Sequence, residues 1–270
     1  MAEARAQVPG LERGLNILRL FRRNRTAIGA PEMARELGIP RSTVHRLVQT
    51  LEEMGFLRRA EHGGAYALGP AVLTIGFEYL GSLDIVQLSN PVLARLRDET
   101  NYSTHLAVRN GTEIVYLSRH ASRATIASNV SVGSALPAHA TVIGRVILAD
   151  LGAAELAALY PGKRLKTYTE QTPPNLAALA TILAEDRERG YAYSTSFFER
   201  GVTSLAAPVR DPSGKVVASV SAVTVDMALD EHFVRGALKD RVVAAAAEIS
   251  ELLGASGRAE PMRLPKRFGT

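Results

Sequence analysis

The sequence predicts an α+β protein of two domains: a small N-terminal winged helix-turn-helix, a connecting helix, and a larger C-terminal domain of mixed strands and helices. The 270 residues are more than one small domain needs. Three helical patterns and a hairpin signal occupy the N-terminal part, and strand and helix patterns are mixed in the rest. We place the boundaries at 1–69, 70–83 and 84–254, followed by a basic tail at 255–270 that we expect to be disordered.

Charge is distributed unevenly along the chain. Residues 1–69 carry +4, residues 255–270 carry +3, and the segment between them carries −2. A basic small domain attached to a near-neutral larger one is typical of a phosphate-binding module joined to a sensor. The absence of cysteine excludes disulfides, thiolate-bound metals and thiol nucleophiles. Because no apolar run is long enough to span a membrane and the start of the chain is unlike a signal peptide, we expect a cytoplasmic protein without membrane contact.

The first two helices are indicated by the spacing of apolar residues and by residues that are common at helix ends. Leu11, Leu15, Leu18 and Phe21 predict an amphipathic helix, with Ile17 at the edge of its stripe. A short second helix is predicted over 31–37. Its first residue is a proline, and a glycine follows its last residue. Only two residues then precede the next helical pattern, which is the spacing of a helix-turn-helix.

The third helix, predicted over 41–54, carries two distinct faces. Its buried face is expected to hold Val44, Leu47, Val48 and Leu51. Its other face is polar and free of carboxylates, as a helix in the major groove requires, although a merely solvated face would have the same composition. The candidate DNA-contacting residues are Arg41, Ser42, Thr43, His45, Arg46 and Gln49.

A hairpin is predicted directly after this helix. Two short extended segments flank the glycine pair at 63–64, which is a strong hairpin signal. A hairpin in this place is the wing of a winged helix. Arg58 and Arg59 on its first strand are candidates for phosphate contacts, which position a domain without reading sequence.

The C-terminal domain alternates helices and strands in a pattern similar to GAF or PAS sensor modules. Helices are expected over 70–83, 84–100, from about 139 to 149, 175–189 and 230–253. Strands are expected over 104–108, 113–118, 125–130, 191–196, 202–210 and 215–224.

The chain resembles the IclR family of bacterial transcriptional regulators. In the N-terminal part the resemblance is carried by the segments 11–21, 33–47, 51–57 and 66–69. In the C-terminal part it is carried by 136–149, 189–192 and 201–211, so that it covers about residues 8–253. The resemblance implies a protein that binds double-stranded operator DNA and a small organic acid effector, and that works as a homodimer or a dimer of dimers.

The resemblance also implies an effector pocket in the C-terminal domain. The expected ligand-binding residues are Thr141, Val142, Ile143, Ser194, Ser204 and Ser221. A helix N-terminus and serine hydroxyls are suitable partners for a carboxylate. In the glyoxylate-sensing branch, small residues stand in place of Val142 and Ile143, and an acidic one in place of Ser194. The segment 132–149 is more similar to regulators of aromatic-acid catabolism, so an aromatic acid is the expected effector and an aliphatic keto acid the alternative.

The sequence shows no motif of the common enzyme classes. The sequence lacks a nucleophile elbow, a P-loop and a dinucleotide fingerprint, and we expect neither enzymatic activity nor a cofactor. His105, His120 and His139 lack the paired spacing of a zinc site on a helix, so no metal is expected. The alternatives are a metal-dependent or hydrolytic domain fused to the DNA-binding module, or an architectural DNA-binding protein without a sensor.

Overall fold

The computed structural model describes residues 8–61, 63–122, 130–162, 164–225 and 234–256. The chain divides into two compact units, with the boundary between Ser82 and Leu83.

The N-terminal unit has three helices before its hairpin, and the second and third form the helix-turn-helix that the sequence predicts. Its helices are α1 (Pro9–Arg19), α2 (Ala30–Leu37) and α3 (Arg41–Glu53). Helix α2 ends at Gly38, whose φ of 63° lies in the left-handed region that favours glycine. Ile39 and Pro40 then lead into α3. The tight turn fixes how α2 and α3 pack on each other.

Helix α1 buries a different side from the one that its leucine spacing predicts. Leu11 and Leu15 are 63% and 51% exposed, whereas Ile17 is fully buried and Phe21 nearly so. Helix α1 packs against α2 and α3 through the side that carries Ile17. The first two turns therefore leave their leucines in solvent, although Leu18 is partly buried. The predicted amphipathic helix is present, but its buried side is the one that carries Ile17 and not the one that carries Leu11 and Leu15.

The wing follows as predicted. Strands β1 (Leu57–Arg59) and β2 (Tyr66–Leu68) pair antiparallel, and both glycines of the 63–64 pair have positive φ. Ile28 adds a bridge beside β2, with two backbone hydrogen bonds of 2.9 Å to Tyr66. The hairpin is thus held to the segment between α1 and α2.

Helix α4 (Ala71–Gly81) closes the N-terminal unit and has no buried residue. Leu73, Ile75 and Phe77 are 62%, 59% and 61% exposed. Across the described residues, no single helix is long and apolar enough to cross a membrane; α4 passes that test only when joined to the next helix, α5 (Asp84–Thr100).

A six-stranded antiparallel sheet forms the centre of the C-terminal unit. Its strands, in spatial order, are β5, β4, β3, β8, β7 and β6. Their bounds are β3 (Ser103–Asn110), β4 (Glu113–His120), β5 (Ala135–Pro137), β6 (Ala192–Thr195), β7 (Thr203–Arg210) and β8 (Val216–Thr224). Two meanders therefore meet where β3 pairs with β8.

Helices cover both faces of this sheet. One face carries α6 (Val142–Leu148), α7 (Ala153–Leu159) and α8 (Leu176–Arg189), and the other carries α5 and α9 (Lys239–Ser256). Adjacent residues of a strand point to opposite faces. Thr104 accordingly donates a hydrogen bond of 2.8 Å to Leu93 O on α5, while Ala107 packs in the core beneath α6. The predicted α+β architecture is confirmed.

The structure adds local elements that the sequence analysis did not predict, and two predicted spans lie partly or almost wholly outside the described residues. Strand β5 and helix α7 were not predicted, because three and seven residues are too short to show a period. The strand expected over 125–130 lies almost wholly outside the described residues. The last helix begins at Lys239, preceded by a π-helical turn at 234–238, and the first part of its predicted span also lies outside them.

Candidate functional site

The outer face of α3 is polar and exposed, and its inner face is buried. Val44 and Val48 are fully buried in the core of the N-terminal unit, which fixes the rotation of the helix. Of the six predicted contact residues only Thr43 is half-buried. The other five are exposed: Arg41, Ser42, His45, Arg46 and Gln49. The structure therefore presents these side chains together along one helix. Carboxylates begin only at Glu52, in the last turn.

The two arginines of the wing differ in their surroundings. Arg58 and Arg59 are both exposed on β1. Arg59 pairs with Glu52 at 3.1 Å, and its guanidinium lies 4.3 Å from the centre of the Tyr66 ring. These contacts hold Arg59 against the end of α3, so an approaching phosphate must compete with Glu52 for it.

A cavity of about 240 Å³ lies between α6 and the sheet of the C-terminal unit. Its walls are mostly apolar, with hydroxyl groups at several points and one exposed carboxylate, that of Glu199. The lining residues are His105, Tyr116, Val130, Ser134, Leu136, Thr141, Val142, Ile143, Ser194, Phe197, Phe198, Glu199, Val202, Ser204 and Val223. Five of the six predicted ligand-binding residues are among them.

The start of α6 brings three of these residues to the cavity. Thr141 is the N-cap, and its hydroxyl accepts a hydrogen bond of 3.2 Å from Gly144 N. The same hydroxyl donates a hydrogen bond of 3.3 Å to Pro137 O, so both of its hydrogen bonds are made within the chain. Val142 and Ile143 follow in the first turn, where backbone N–H groups have no partner within the helix. A ligand can therefore use these amides more readily than the Thr141 hydroxyl.

Two serines stand side by side at the β6–β7 end of the cavity. Ser194 on β6 lies directly opposite Ser204 on β7, and Val223 on β8 lies opposite Ser204. All three line the cavity. The sixth predicted residue, Ser221, lies on β8, is 1% exposed and does not line the cavity.

His105 is one of the ten cavity residues that the sequence analysis did not assign to the ligand. It lies on β3, is 1% exposed, and has a hydrogen-bond partner for neither ring nitrogen among the described residues. Burial, and after it the neighbouring Arg119 and His120, lower the pKa of His105 to about 3. Its imidazole is therefore neutral at physiological pH. The sequence could have indicated this position, because side chains alternate along a strand and His105 is therefore on the same face of β3 as Ala107, which packs beneath α6.

Phe197 forms one wall of the cavity, and its ring packs against the guanidinium of Arg145. The Arg145 guanidinium lies 4.6 Å from the Phe197 ring centre and makes two 2.7 Å hydrogen bonds to the Asp186 carboxylate. The side chains of Arg145 and Asp186 are 4% and 1% exposed. This bidentate pair joins α6 to α8 beneath the cavity wall.

The three histidines that the sequence analysis tested as metal ligands do not form a metal site. His105 is buried in the cavity, and the other two lie beside oxygen atoms of the protein. The His139 ring nitrogen Nε2 lies 2.9 Å from Lys166 O, and His120 Nε2 lies 3.3 Å from Asn90 Oδ1. Within the described ranges, no group of three or more histidine, aspartate or glutamate side chains is arranged to hold a metal ion.

Comparison with known proteins gave consistent matches over both units. The model of the IclR helix-turn-helix domain matches residues 10–61, and that of the bacterial transcriptional regulator IclR C-terminal domain matches residues 77–251. The chain is 34% identical to the HTH-type transcriptional regulator XynR of Escherichia coli (strain K12), over 83% of this chain and 89% of that protein. It is 30% identical to the Pca regulon regulatory protein of Pseudomonas putida, over 79% and 73% respectively.

Solved structures match as well. An IclR homolog complexed with 4-hydroxybenzoate, from Microbacterium hydrocarbonoxydans, superimposes with a TM-score of 0.77 and 27% identity. The match covers 93% of this chain and 100% of that one. Both units thus have counterparts in one regulator architecture.

Proposed function

Because this chain belongs to the IclR family of bacterial transcriptional regulators, we propose that it is a dimeric cytoplasmic regulator whose operator affinity responds to a small aromatic carboxylic acid. The matched relatives are DNA-binding regulators and not enzymes, which confirms the prediction that the chain is not an enzyme. The cavity between α6 and the sheet is the observation that carries the effector part of the proposal.

The DNA-binding part of the proposal rests on the exposed face of α3. Its arginines and hydrogen-bonding side chains suit base edges and phosphates, and the N-terminal turns of a recognition helix are those that reach the bases. Ser42, His45, Arg46 and Gln49 lie along this face, with Arg41 and Thr43 at its start. Arg58 and Arg59 of the wing would meet the backbone phosphates.

Arg46→Ala should weaken operator binding by about 1–3 kcal/mol while changing affinity for random DNA much less, if Arg46 reads a guanine. Titration of both DNAs by fluorescence anisotropy at one salt concentration measures the two effects. Arg13→Ala, which removes the same charge from an exposed position on α1 away from Leu11 and Leu15, is the matched control. If the affinities for operator and for random DNA fell equally, Arg46 would contact a phosphate and would not read a base.

The effector part is supported by the composition of the cavity. Its apolar and aromatic walls, which include Val142, Ile143, Phe197 and Phe198, suit a ring better than a short keto acid. The similar structure that contains 4-hydroxybenzoate supports the same class of ligand. The carboxylate would lie near Ser194 and Ser204 and the amides that begin α6.

Ser204→Ala should abolish the response to the acid and leave operator binding intact. Ser204 is half-buried on β7 in the cavity, so the substitution removes a hydroxyl donor there and changes no residue of the N-terminal unit. Ser213→Ala, which removes an exposed hydroxyl from the β7–β8 turn, is the control. A mobility-shift titration with and without the acid reads both properties. Loss of operator binding as well would indicate a folding defect.

We place the dimer contact on the exposed apolar side chains of the N-terminal unit. Leu11 and Leu15 of α1, and Leu73 and Phe77 of α4, are each more than half exposed. Apolar surface of this kind is typical of an interface. A symmetric dimer would set two α3 helices about 34 Å apart, one per half-site. The acid can then alter DNA affinity only by binding two arrangements of the dimer unequally.

A further inference from the structure

His105 is a polar group buried in the cavity with its hydrogen-bonding capacity unused. Both ring nitrogens lack a partner among the described residues, and the ring lines the cavity. Tyr116 packs edge-on against it, with ring centres 5.4 Å apart and planes inclined by 75°, which supports the ring without bonding its nitrogens. Buried polar groups in native proteins are nearly always hydrogen-bonded, so a partner other than the described residues is expected.

The chemistry of that partner follows from the state of the ring. A neutral imidazole has one N–H donor and one acceptor nitrogen. A hydroxyl group can satisfy either nitrogen, because it both donates and accepts. A carboxylate can satisfy only the donor. The serines that suit a carboxylate lie on β6 and β7, whereas His105 lies on β3, two strands or roughly 10 Å away from β7.

We propose that His105 is a specificity-determining residue of the effector cavity, and that it hydrogen-bonds a hydroxyl group carried by the effector at the end opposite its carboxylate. This inference rests on the proposed function, since it takes the cavity to be the effector site. It narrows the effector class to hydroxylated aromatic acids. An acid without the hydroxyl leaves the imidazole unpaired, and sites built for a hydroxyl reject such analogues strongly.

Calorimetric titration of the full chain with benzoate and with 4-hydroxybenzoate tests the proposal. The wild-type protein should bind 4-hydroxybenzoate at least about 10-fold more tightly than benzoate. In His105→Phe, which keeps an aromatic ring but removes both nitrogens, the two acids should bind within about 2-fold of each other. His105→Gln, which restores a donor and an acceptor, should recover part of the preference. Because both acids are measured on the same variant, a general loss of stability cancels from the ratio.

The outcomes separate the role of His105 from the proposed effector class. A preference for 4-hydroxybenzoate that survives in His105→Phe, or equal binding of the two acids to the wild type, overturns the role of His105 but leaves an aromatic-acid sensor in place. In that case an ordered water satisfies the imidazole. If neither acid binds at millimolar concentration, the proposed effector class fails and the inference fails with it.

Discussion

Phe77→Glu should convert the protein to a monomer and weaken operator binding by about 10²–10⁴-fold, the range by which linked binding sites exceed single ones. Phe77 is 61% exposed on α4, a helix without a buried residue. Leu73 lies one turn earlier on the same side and is 62% exposed. A carboxylate placed in an apolar contact between two copies would be buried without a partner, which is strongly unfavourable.

Sedimentation velocity and anisotropy titration measure the two effects of Phe77→Glu. Thr74→Glu is the matched control, because it adds the same charge to the same helix, on the polar stripe that Thr74 shares with Glu78. The control should remain dimeric with unchanged operator affinity. A dimeric Phe77→Glu protein that binds operator normally would remove α4 from the proposed interface.

Asp186→Ala should destabilise the C-terminal unit by about 3–5 kcal/mol, the usual result of removing one partner from a buried ion pair. Asp186 accepts two hydrogen bonds from Arg145 and one of 2.7 Å from Arg189, and its side chain is 1% exposed. Without it, the Arg145 guanidinium stays buried beneath Phe197 with its charge uncompensated. We therefore also expect a weaker response to the acid, because Phe197 lines the cavity.

Urea unfolding followed by circular dichroism tests this prediction. Glu185→Ala is the matched control, since Glu185 is the preceding residue on α8, is 61% exposed in its side chain, and reaches Arg189 only at 3.8 Å. Exposed pairs of this kind contribute up to about 1 kcal/mol, and the control should change stability by no more than that. Comparable midpoints for the two variants would mean that the Arg145–Asp186 pair contributes little to the fold.

The N-terminal unit was largely predictable because its signals are local. The glycine after Leu37, the spacing of Val44 and Val48, and the glycine pair at 63–64 each act within a few residues. Each corresponds to a backbone conformation or a buried face in the structure. The exposure of Leu11 and Leu15 was not predictable, since spacing shows that side chains share a face but not what covers it.

The C-terminal unit was less predictable because its sheet is assembled from distant segments. The pairing of β3 with β8 joins residues more than one hundred positions apart, and no local pattern specifies it. The predicted serines at 194 and 204 do lie opposite each other in the cavity, a placement that came from the family resemblance. The open hydrogen-bonding capacity of His105 becomes visible only when both sheet neighbours and α6 are in place.

The central claim is that the protein binds its operator and that a small carboxylic acid changes this binding. The most direct measurement is a mobility shift of the purified full chain on the intergenic DNA upstream of its own gene, with and without a panel of aromatic and aliphatic acids. We predict a specific shift that competes poorly with random DNA and that one aromatic acid alters. The absence of a specific shift under every condition would contradict the claim.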